Sequence, residues 1–579
     1  MSLVSTSIRL RRAVSWVDLL VLTVAGALFY GLLGTAREWH GALTPTVEIN
    51  LSPAALPGYT FFSLVRGFAA YAVSFLFTLT YGYVAAYHRR AEKIMLPLLD
   101  ILQSIPVLGF LPGLVLALVA IFPRSNVGLE LAAVLMIFTG QVWNMTFSFY
   151  NSLKSIPNEL REAAKVYKLG WWQRFTTVEM PYAALGLIWN SMMSMAGGWF
   201  FLTITEAFVL GDHDFRLPGI GSYMSVAIAQ GNVPAMLYAI TAMTLMIILV
   251  DQVFWRPIVA WAQKYKFEES ETDIATRSFV LDLLQRSHII RFAAKRIWTP
   301  AFSAVSLRLS GGAAVIDRAT VASRLSWSAV LNTSVAWLLR GAIAIVALWG
   351  GWKFCSILFM VTPGEWGLVG THLALTLGRV AVAVALGTVL MIPLGVMIGL
   401  NPKLSQILQP VAQVAASFPA PMLFPLVILA LAKAGIGIEW GAIALMLLGT
   451  QWYILFNVIA GAMAIPNDLR EAALVSRLTR WQTWKRLILP GIFPSLVTGW
   501  VTATGGAWNA SIVAEYVHFG DRVLVATGLG SAITIATDRG NFALLAAGVT
   551  AMAATVILTN RLLWRKLYRT ADEKFGLNK

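Results

Sequence analysis

The chain has 579 residues, of which 58% are hydrophobic and only 12% are charged. Soluble globular proteins carry about twice that charged fraction, and the mean hydropathy here is +0.71, so a soluble fold is excluded. The net charge of +16 is the excess of Lys and Arg that membrane proteins place in cytoplasmic loops, and it does not indicate nucleic-acid binding. The single cysteine, Cys355, excludes an intrachain disulfide framework, and the six histidines form no zinc-hydrolase pattern.

Apolar runs of about 20 residues, the length that crosses a bilayer, predict an all-α polytopic transmembrane protein with about 12 spans. Arg9, Arg11 and Arg12 precede the first run, which is too long for a signal-peptide core, so we expect an uncleaved first span. The predicted spans are 16–35, 61–86, 95–121, 129–150, 182–209, 235–260, 340–361, 370–399, 408–432, 440–460, 490–516 and 542–564.

These spans form two transmembrane domains, residues 1–261 and 328–579, joined by a polar linker at 262–327. Basic residues are concentrated at the N-terminus, in the turn at 88–90, at 151–180 and in the linker, whereas the loops between them contain few. The positive-inside rule therefore places both termini, the linker and the 151–180 loop in the cytoplasm.

The second domain repeats the first. Arg66 and Pro97 have counterparts 313 positions later, and Trp143 and Glu206 have counterparts 309 positions later. A net difference of four residues in one short loop explains the change of offset. Such a tandem duplication, with an even number of spans in each copy, predicts a pseudo-twofold axis along the membrane normal and a pathway between the copies.

A polar stretch interrupts the apolar sequence once in each copy, as IPNELREAA at 156–164 and IPNDLREAA at 465–473. Each continues to a Trp-Gln pair and ends at Pro181 or Pro490. Proline in the first helical position, followed by polar and acidic residues, predicts a short helix. We expect Gly170 to end the helix of the first copy, and a second short helix at 172–180 to lead into the next span.

One face of this short helix is shallow. Helical spacing brings together Leu160, Ala163, Ala164 and Tyr167 in the first copy and Leu469, Ala472, Ala473 and Ser476 in the second. Small side chains let the backbone of another protein come close, so we interpret the face as a docking surface. The alternative, an amphipathic helix lying on lipid headgroups, is weakened by the presence of two copies on the same side.

The Glu-Ala-Ala sequence, the Trp-Gln pair and the terminal proline resemble the EAA loop of permease subunits in bacterial ABC importers with periplasmic binding proteins. The closest likeness is the branch that imports nitrate, sulfonates, taurine or bicarbonate, and it includes the run GGAWNASIVAE at 505–515. The resemblance covers most of both copies and implies two permease units fused in one chain.

The resemblance implies a multi-pass permease of the bacterial inner membrane that moves a small solute, an anion in that branch, by alternating access. Two copies of a cytoplasmic ATPase would dock on it, and a periplasmic solute-binding protein would deliver the solute. The chain has no G-x-x-x-x-G-K-[ST] loop. We therefore expect no enzymatic activity and no cofactor in this chain, with ATP and Mg²⁺ bound by the partner subunits.

The predicted ATPase-docking residues lie in the two repeated stretches. They are Glu159, Leu160, Glu162, Ala163, Ala164, Lys168 and Gly170, and Asp468, Leu469, Glu471, Ala472, Ala473 and Arg477. Lys168 and Arg477 stand where the family has glycine, so the resemblance leaves the turn after each helix open.

Polar residues within the spans are weaker candidates for the substrate pathway. They are Arg66, Arg379, Asn190, Trp199, Glu206, Trp508, Asn509 and Glu515. Arg66 and Arg379 would attract an anion, or snorkel, or pair internally with Glu206 and Glu515, which we expect to hold the gate region. The tryptophans would line or gate the path or lie in the interfacial belt, and the asparagines would face the pore or bond between helices.

A secondary transporter with two parallel six-span repeats is the alternative function. It would be driven by an ion gradient and would need acidic or His residues buried at mid-membrane. The spans contain few such residues, which favours the ATP-driven importer.

Overall fold

The computed structural model describes residues 15–43, 46–104, 107–210, 213–265, 278–293, 295–296, 334–519 and 522–575. The N-terminal arginines and most of the predicted linker lie outside the described residues. The remainder is almost entirely helical, as the apolar sequence predicts.

The first half begins with a peripheral helix and ends in the part of the linker that is described. Its elements are α1 (Trp16–His40), α2 (Leu56–Tyr87), α3 (Arg89–Ser104), α4 (Leu111–Ile121), α5 (Val127–Lys154), α6 (Asn158–Val166), α7 (Trp171–Arg174), α8 (Met180–Thr205), β1 (Ala207–Leu210), β2 (His213–Arg216), α9 (Ile220–Ala229), α10 (Val233–Val250), α11 (Arg256–Ala262), α12 (Phe279–Arg286) and α13 (His288–Ala293). One π-helical turn, Phe175–Glu179, joins α7 to α8, and another, Asp251–Trp255, joins α10 to α11.

The second half has the same order of elements. They are α14 (Ser334–Leu358), α15 (Pro363–Leu400), α16 (Pro402–Ser417), α17 (Phe424–Lys433), α18 (Ile438–Met463), α19 (Asn467–Val475), α20 (Arg480–Thr483), α21 (Leu489–Ala514), β3 (Tyr516–Phe519), β4 (Arg522–Val525), α22 (Leu529–Asp538), α23 (Phe542–Thr559) and α24 (Arg565–Phe575). From α6 to α10, each element has the same length as its counterpart 309 residues later. The structure therefore repeats as the sequence does.

Within the described ranges, eight helices are long and apolar enough to cross a membrane, or nine if the bent pair α16 and α17 counts as one span. About 12 spans were predicted, and three of them, 95–121, 182–209 and 340–361, are not among these helices. Residues 95–121 form two helices rather than one. The predicted span at 340–361 falls on α14, a single helix of 25 residues, and stays a prediction. At the third place, α8 has 26 residues but many are small or polar, because much of its surface is buried against protein instead of lipid.

Two small hairpins were not predicted. The segments predicted as spans 182–209 and 490–516 leave the helix at Thr205 and Ala514 and continue into β1 and β3. Each strand pairs antiparallel with the next, β1 with β2 and β3 with β4. A sheet this short depends on the helices beneath it, and Phe208 stacks on Phe215 across the first hairpin.

Among the described residues, the most extensive apolar cluster draws side chains from both halves, and smaller clusters lie within each half. The helix pairs with the most extensive packing are α2 with α5 and α5 with α8 in the first half, and α15 with α18 and α18 with α21 in the second. Each half is thus a bundle centred on α5 or α18, and the short helices α6 and α19 directly follow those two central helices.

Candidate docking surface and translocation path

The helices α6 and α19 are the repeat helices that the sequence places on the docking surface. Each follows a proline in extended conformation, Pro157 with φ −55° and Pro466 with φ −56°, so the proline precedes the helix and does not occupy its first turn as predicted. The proline carbonyl accepts the first backbone hydrogen bond, 3.3 Å from the nitrogen of Arg161 and 3.4 Å from that of Arg470. The local sequence therefore sets the direction in which each repeat helix leaves the bundle.

The predicted shallow face divides in the structure. Ala164 and Ala473 are buried within the protein, and Leu160 packs against the cluster around Phe149. The predicted docking residues on the outside are Glu159, Glu162, Lys168, Asp468, Leu469, Glu471, Ala472 and Arg477, while Ala163 and Gly170 are half-buried.

Large apolar side chains at the end of each repeat helix were missed by the sequence analysis. Val166 is 79% exposed and Val475, its counterpart 309 residues later, is 83% exposed. Tyr167 and Leu474 beside them are also exposed. A hydrophobic patch that recurs at equivalent places marks an interaction surface.

Arg161 and Arg470 tie the repeat helices to the bundle. The Nη2 atom of Arg161 donates to the carbonyls of Leu153 at 2.8 Å and Lys154 at 3.1 Å, at the end of α5. The Nη2 atom of Arg470 donates to the carbonyl of Ala462 at 2.8 Å, at the end of α18. These helix ends have unpaired carbonyls and a partial negative charge, so a guanidinium binds them well.

The turn after each repeat helix is closed by a residue in the left-handed conformation, Lys168 with φ 51° and Arg477 with φ 49°. The nitrogen of the following residue donates back to the helix, Leu169 to the carbonyl of Ala164 at 3.0 Å and Leu478 to that of Ala473 at 3.1 Å. This is the usual closure of a helix C-terminus, which glycine most often provides. Here the same closure forms with a lysine or an arginine in place of glycine.

Gly170 does not end the first repeat helix, contrary to the prediction. It lies two residues beyond Lys168 and is the N-cap residue that precedes α7, with its nitrogen donating to Oε1 of Gln173 at 3.0 Å. Thr479 does the same with Gln482 at 2.9 Å in the second half. The glutamine of each Trp-Gln pair thus caps a helix that runs through a π turn into α8 or α21.

A central cavity of about 180 Å³ lies between the two halves. Its lining includes the equivalent pairs Gly140 and Gly449, Trp143 and Trp452, and Gly197 and Gly506, with Gln103, Thr139, Gln413, Tyr453 and Asn509 supplying further polar groups. The lining contains no acidic or basic side chain among the residues that the structure describes. A solute here would meet aromatic faces and neutral hydrogen-bonding groups.

Of the residues proposed for the pathway, Asn509 is the one that lines this cavity. Its Oδ1 accepts from the nitrogen of Val107 at 3.0 Å. Asn190 lies elsewhere and donates to the hydroxyl of Ser148 at 3.0 Å. Trp199 and Trp508 are both buried, which excludes the interfacial belt, and Trp199 borders a separate cavity of about 20 Å³.

The other four pathway candidates belong to two equivalent charge clusters, of which the first is fully buried and the second is partly exposed at Glu439. In the first, Arg66 donates from Nη2 to Oε1 of Glu130 at 2.8 Å and from Nη1 to Oε1 of Glu206 at 2.7 Å, and the side chains of all three are fully buried. In the second, Arg379 contacts Glu439 and donates to Glu515 at 2.8 Å. Glu130 and Glu439 are 309 residues apart and were missed.

Each guanidinium in these clusters has two carboxylate partners, so neither arginine is a free positive charge for an anion. The internal pairing with Glu206 and Glu515, one of the alternatives left open by the sequence, is the arrangement in the structure. Pairing is required because an isolated charge in this setting is costly.

The glutamates also organise the Gly-x-Gly turns. Oε2 of Glu206 accepts from the nitrogen of Gly221 at 2.7 Å, and Oε2 of Glu515 accepts from that of Gly530 at 2.8 Å. A Cβ atom on Gly219 would lie 2.3 Å from the carboxyl carbon of Glu206, so only glycine fits this approach. The turns are therefore carboxylate-binding corners that position α9 and α22.

The comparisons with known proteins agree with this duplicated architecture. The nitrate import permease protein NrtB of Synechocystis sp. is 30% identical over 147 residues, which cover 25% of this chain and 52% of that protein. The bicarbonate transport system permease protein CmpB of Synechococcus elongatus is 29% identical over 145 residues, covering 25% and 51%. The taurine transport system permease protein TauC of Escherichia coli is 27% identical over 199 residues, covering 34% and 69%.

The chain spans about half the length of the nitrate and bicarbonate relatives that it matches. The pattern that defines binding-protein-dependent transport system inner membrane components matches twice, at residues 78–254 and 391–563, which together make up more than half of the chain. The two matches fall on the two structural copies. This chain belongs to the family of binding-protein-dependent transport system inner membrane components.

Proposed function

We propose that the chain supplies both permease units of an ATP-driven importer in one polypeptide. Two copies of a cytoplasmic ATPase would bind the repeat helices α6 and α19, and a periplasmic solute-binding protein would deliver the solute on the opposite face. Both termini would then be cytoplasmic, and the membrane would be the bacterial inner membrane. The ATP and Mg²⁺ that power transport would be bound by the ATPase subunits.

The observation that carries this proposal is the pair of repeat helices. Each is joined to a central helix of its own half by an arginine that donates to the helix C-terminus. Each presents exposed carboxylates and an exposed apolar end, Val166 or Val475, at equivalent positions. A force applied to either repeat helix would therefore act directly on the bundle around the central cavity.

We further propose that the solute is a small anion. The support is the set of relatives named for nitrate, bicarbonate and taurine, together with a cavity whose described lining offers neutral hydrogen-bond donors and no carboxylate. Trp143, Trp452 and the amides of Gln103 and Gln413 are donors of the kind that bind an oxyanion without a full positive charge.

An ion-gradient-driven transporter remains the alternative, and it would need carboxylates such as those of Glu130, Glu206 and Glu515, which are buried, and of Glu439, which is half exposed. Each of these carboxylates contacts Arg66 or Arg379, and none of them lines the central cavity. This placement suits a structural role better than the reversible binding of a coupling ion.

The test is a double charge reversal, Glu162→Lys with Glu471→Lys, expressed in the native host. We expect normal membrane insertion, loss of the copurifying ATPase and loss of ATP-dependent uptake of nitrate, bicarbonate or taurine in proteoliposomes. Glu48→Lys, an exposed charge reversal in the segment between α1 and α2, is the matched control and should retain the ATPase. Undiminished ATPase copurification with the double variant would refute the docking role, and uptake driven by an ion gradient without ATP would favour the alternative.

A further inference from the structure

Two residues close the repeat helices in a conformation that their side chains disfavour. Among the described residues, Lys168 and Arg477 are the non-glycine residues with positive φ, at 51° and 49°. They occupy the same position of the two copies, 309 residues apart. Lys and Arg rarely adopt this conformation, because the Cβ atom approaches the following carbonyl oxygen.

Elsewhere the chain uses glycine for such turns. Gly231 and Gly540, also equivalent, have φ values of 61° and 62°, and Gly435 has φ 71°. Glycine adopts the left-handed conformation without steric cost. The backbone geometry after the repeat helices therefore does not explain the presence of a cation in both copies.

No contact within the described part of the chain explains the cations either. Both side chains are exposed. Neither has an ion pair or a side-chain hydrogen bond with another described residue, and the bonds that close the turn are made by the backbone, which glycine would preserve. A conformational cost kept in both copies without an internal contact points to an external one.

The surroundings indicate what that contact is. Lys168 follows the exposed Val166 and Tyr167, and Arg477 follows the exposed Leu474 and Val475. A partner that covers this apolar end must also receive the cation beside it. In such an interface an unpaired cation would be costly, whereas a carboxylate opposite it gives complementarity and speeds association.

We propose that Lys168 and Arg477 are the electrostatic anchors of the docking surface, each binding an acidic side chain on one copy of the ATPase. The inference rests on the proposed function, since it assigns chemistry to the partner of the repeat helices. The two cations lie at the edge of the apolar contact. They therefore influence mainly the rate at which the ATPase associates and the salt dependence of its binding.

The experiment uses the double variant Lys168→Gly, Arg477→Gly and the wild-type chain, each in nanodiscs. It measures how tightly each binds the purified ATPase that copurifies with the wild type. We expect unchanged or higher thermal stability of the permease alone, because the strained turn is relieved. We expect affinity for the ATPase to fall about tenfold at low salt, and its salt dependence to become flatter. The pair Lys168→Arg with Arg477→Lys should bind as the wild type does.

Lys403→Gln removes an exposed cation from α16, outside the repeat helices, and it is the matched control that should leave affinity unchanged. Equal affinity and equal salt dependence of the glycine double variant would overturn the proposal. So would a loss of affinity seen in nanodiscs with anionic lipid but absent in detergent, because the cations would then bind headgroups. If the wild-type chain binds no ATPase at all, the proposed function itself fails, and this outcome is distinct from the others.

Discussion

The hydroxyl of Tyr87 donates to Oε1 of Glu179 at 2.6 Å and so joins the end of α2 to the segment that follows the first repeat helix. Nε of Arg174 donates to the same oxygen at 2.7 Å. In the second half the equivalent position holds Ile488, buried in an apolar cluster with Val396. The two halves thus connect their docking segments to the bundle by different physical means, one polar and one apolar.

This difference predicts that the first half is sensitive to loss of a single hydroxyl. Tyr87→Phe leaves the 1%-exposed Glu179 with one donor fewer, and its Oε2 already has no partner among the described residues. Such a loss costs about 1–3 kcal/mol. We expect a lower thermal unfolding temperature in detergent, whereas Tyr30→Phe, at a side chain that is 80% exposed, should have no effect. Equal unfolding temperatures for the two variants would contradict the structural role of this contact.

Arg161 and Arg470 should transmit movement of the repeat helices to the bundle, and they should contribute little to the affinity for the ATPase. Replacing both with alanine removes the hydrogen bonds to the ends of α5 and α18, each worth about 1.5–3 kcal/mol for a charged donor. We expect the ATPase to bind nearly as well as to the wild type, and transport per ATP hydrolysed to fall several-fold. The ratio of uptake to hydrolysis in proteoliposomes measures this, with Lys165→Ala as the exposed control.

A fall in ATPase binding that matches the fall in transport would contradict this role. The arginines would then act at the docking surface itself and not as the connection behind it.

The sequence predicted the repeat and its two offsets, because residue identities at fixed spacing survive in both copies. It predicted α6 and α19 because proline and acidic residues mark a helix start. It did not predict that Ala164 and Ala473 face inward, because helical spacing defines a face but does not say which neighbour covers it.

The buried charges were predicted only in part for the same reason. Arg66 and Glu206 stood out as charges within apolar spans, but Glu130 lies at the start of α5 and resembles an ordinary acidic residue near a helix N-terminus. Its role depends on a contact with Arg66, 64 residues earlier in the chain. A pathway between the copies was predicted, but most residues of its lining were missed, because neutral residues such as Trp143 and Gln413 carry no signal in the sequence that separates a pore from a core.

The Gly-x-Gly corners should tolerate no side chain. Gly219→Ala and Gly528→Ala each place a Cβ atom 2.3 Å from a glutamate side chain. Arg66 or Arg379 holds that side chain in place, so it cannot move away to relieve the clash. Overpacking of this kind costs about 1–3 kcal/mol or more. We expect reduced yield of folded protein and a lower unfolding temperature for either variant.

Gly113→Ala and Gly370→Ala are the matched controls for these variants, since nothing lies within 4 Å of the added atom. They should be as stable as the wild type. A wild-type unfolding temperature for Gly219→Ala would mean that Glu206 is free to move, which would weaken the case for a fixed corner.

The central cavity gives the sharpest test of an anionic substrate. Asn509→Asp keeps the shape of the side chain and the oxygen that accepts from Val107, but it places a negative charge in a cavity whose described lining has none. Repulsion of like charges in such a site costs several kcal/mol, so we expect uptake of nitrate or taurine to fall at least about tenfold while the ATPase still binds. Asn190→Asp is the matched control, because Asn190 lies outside this cavity and contacts Ser148. If uptake falls equally in both variants, the loss of uptake comes from a disturbed fold and not from charge in the cavity. Undiminished uptake by Asn509→Asp would show that the cavity does not carry an anion.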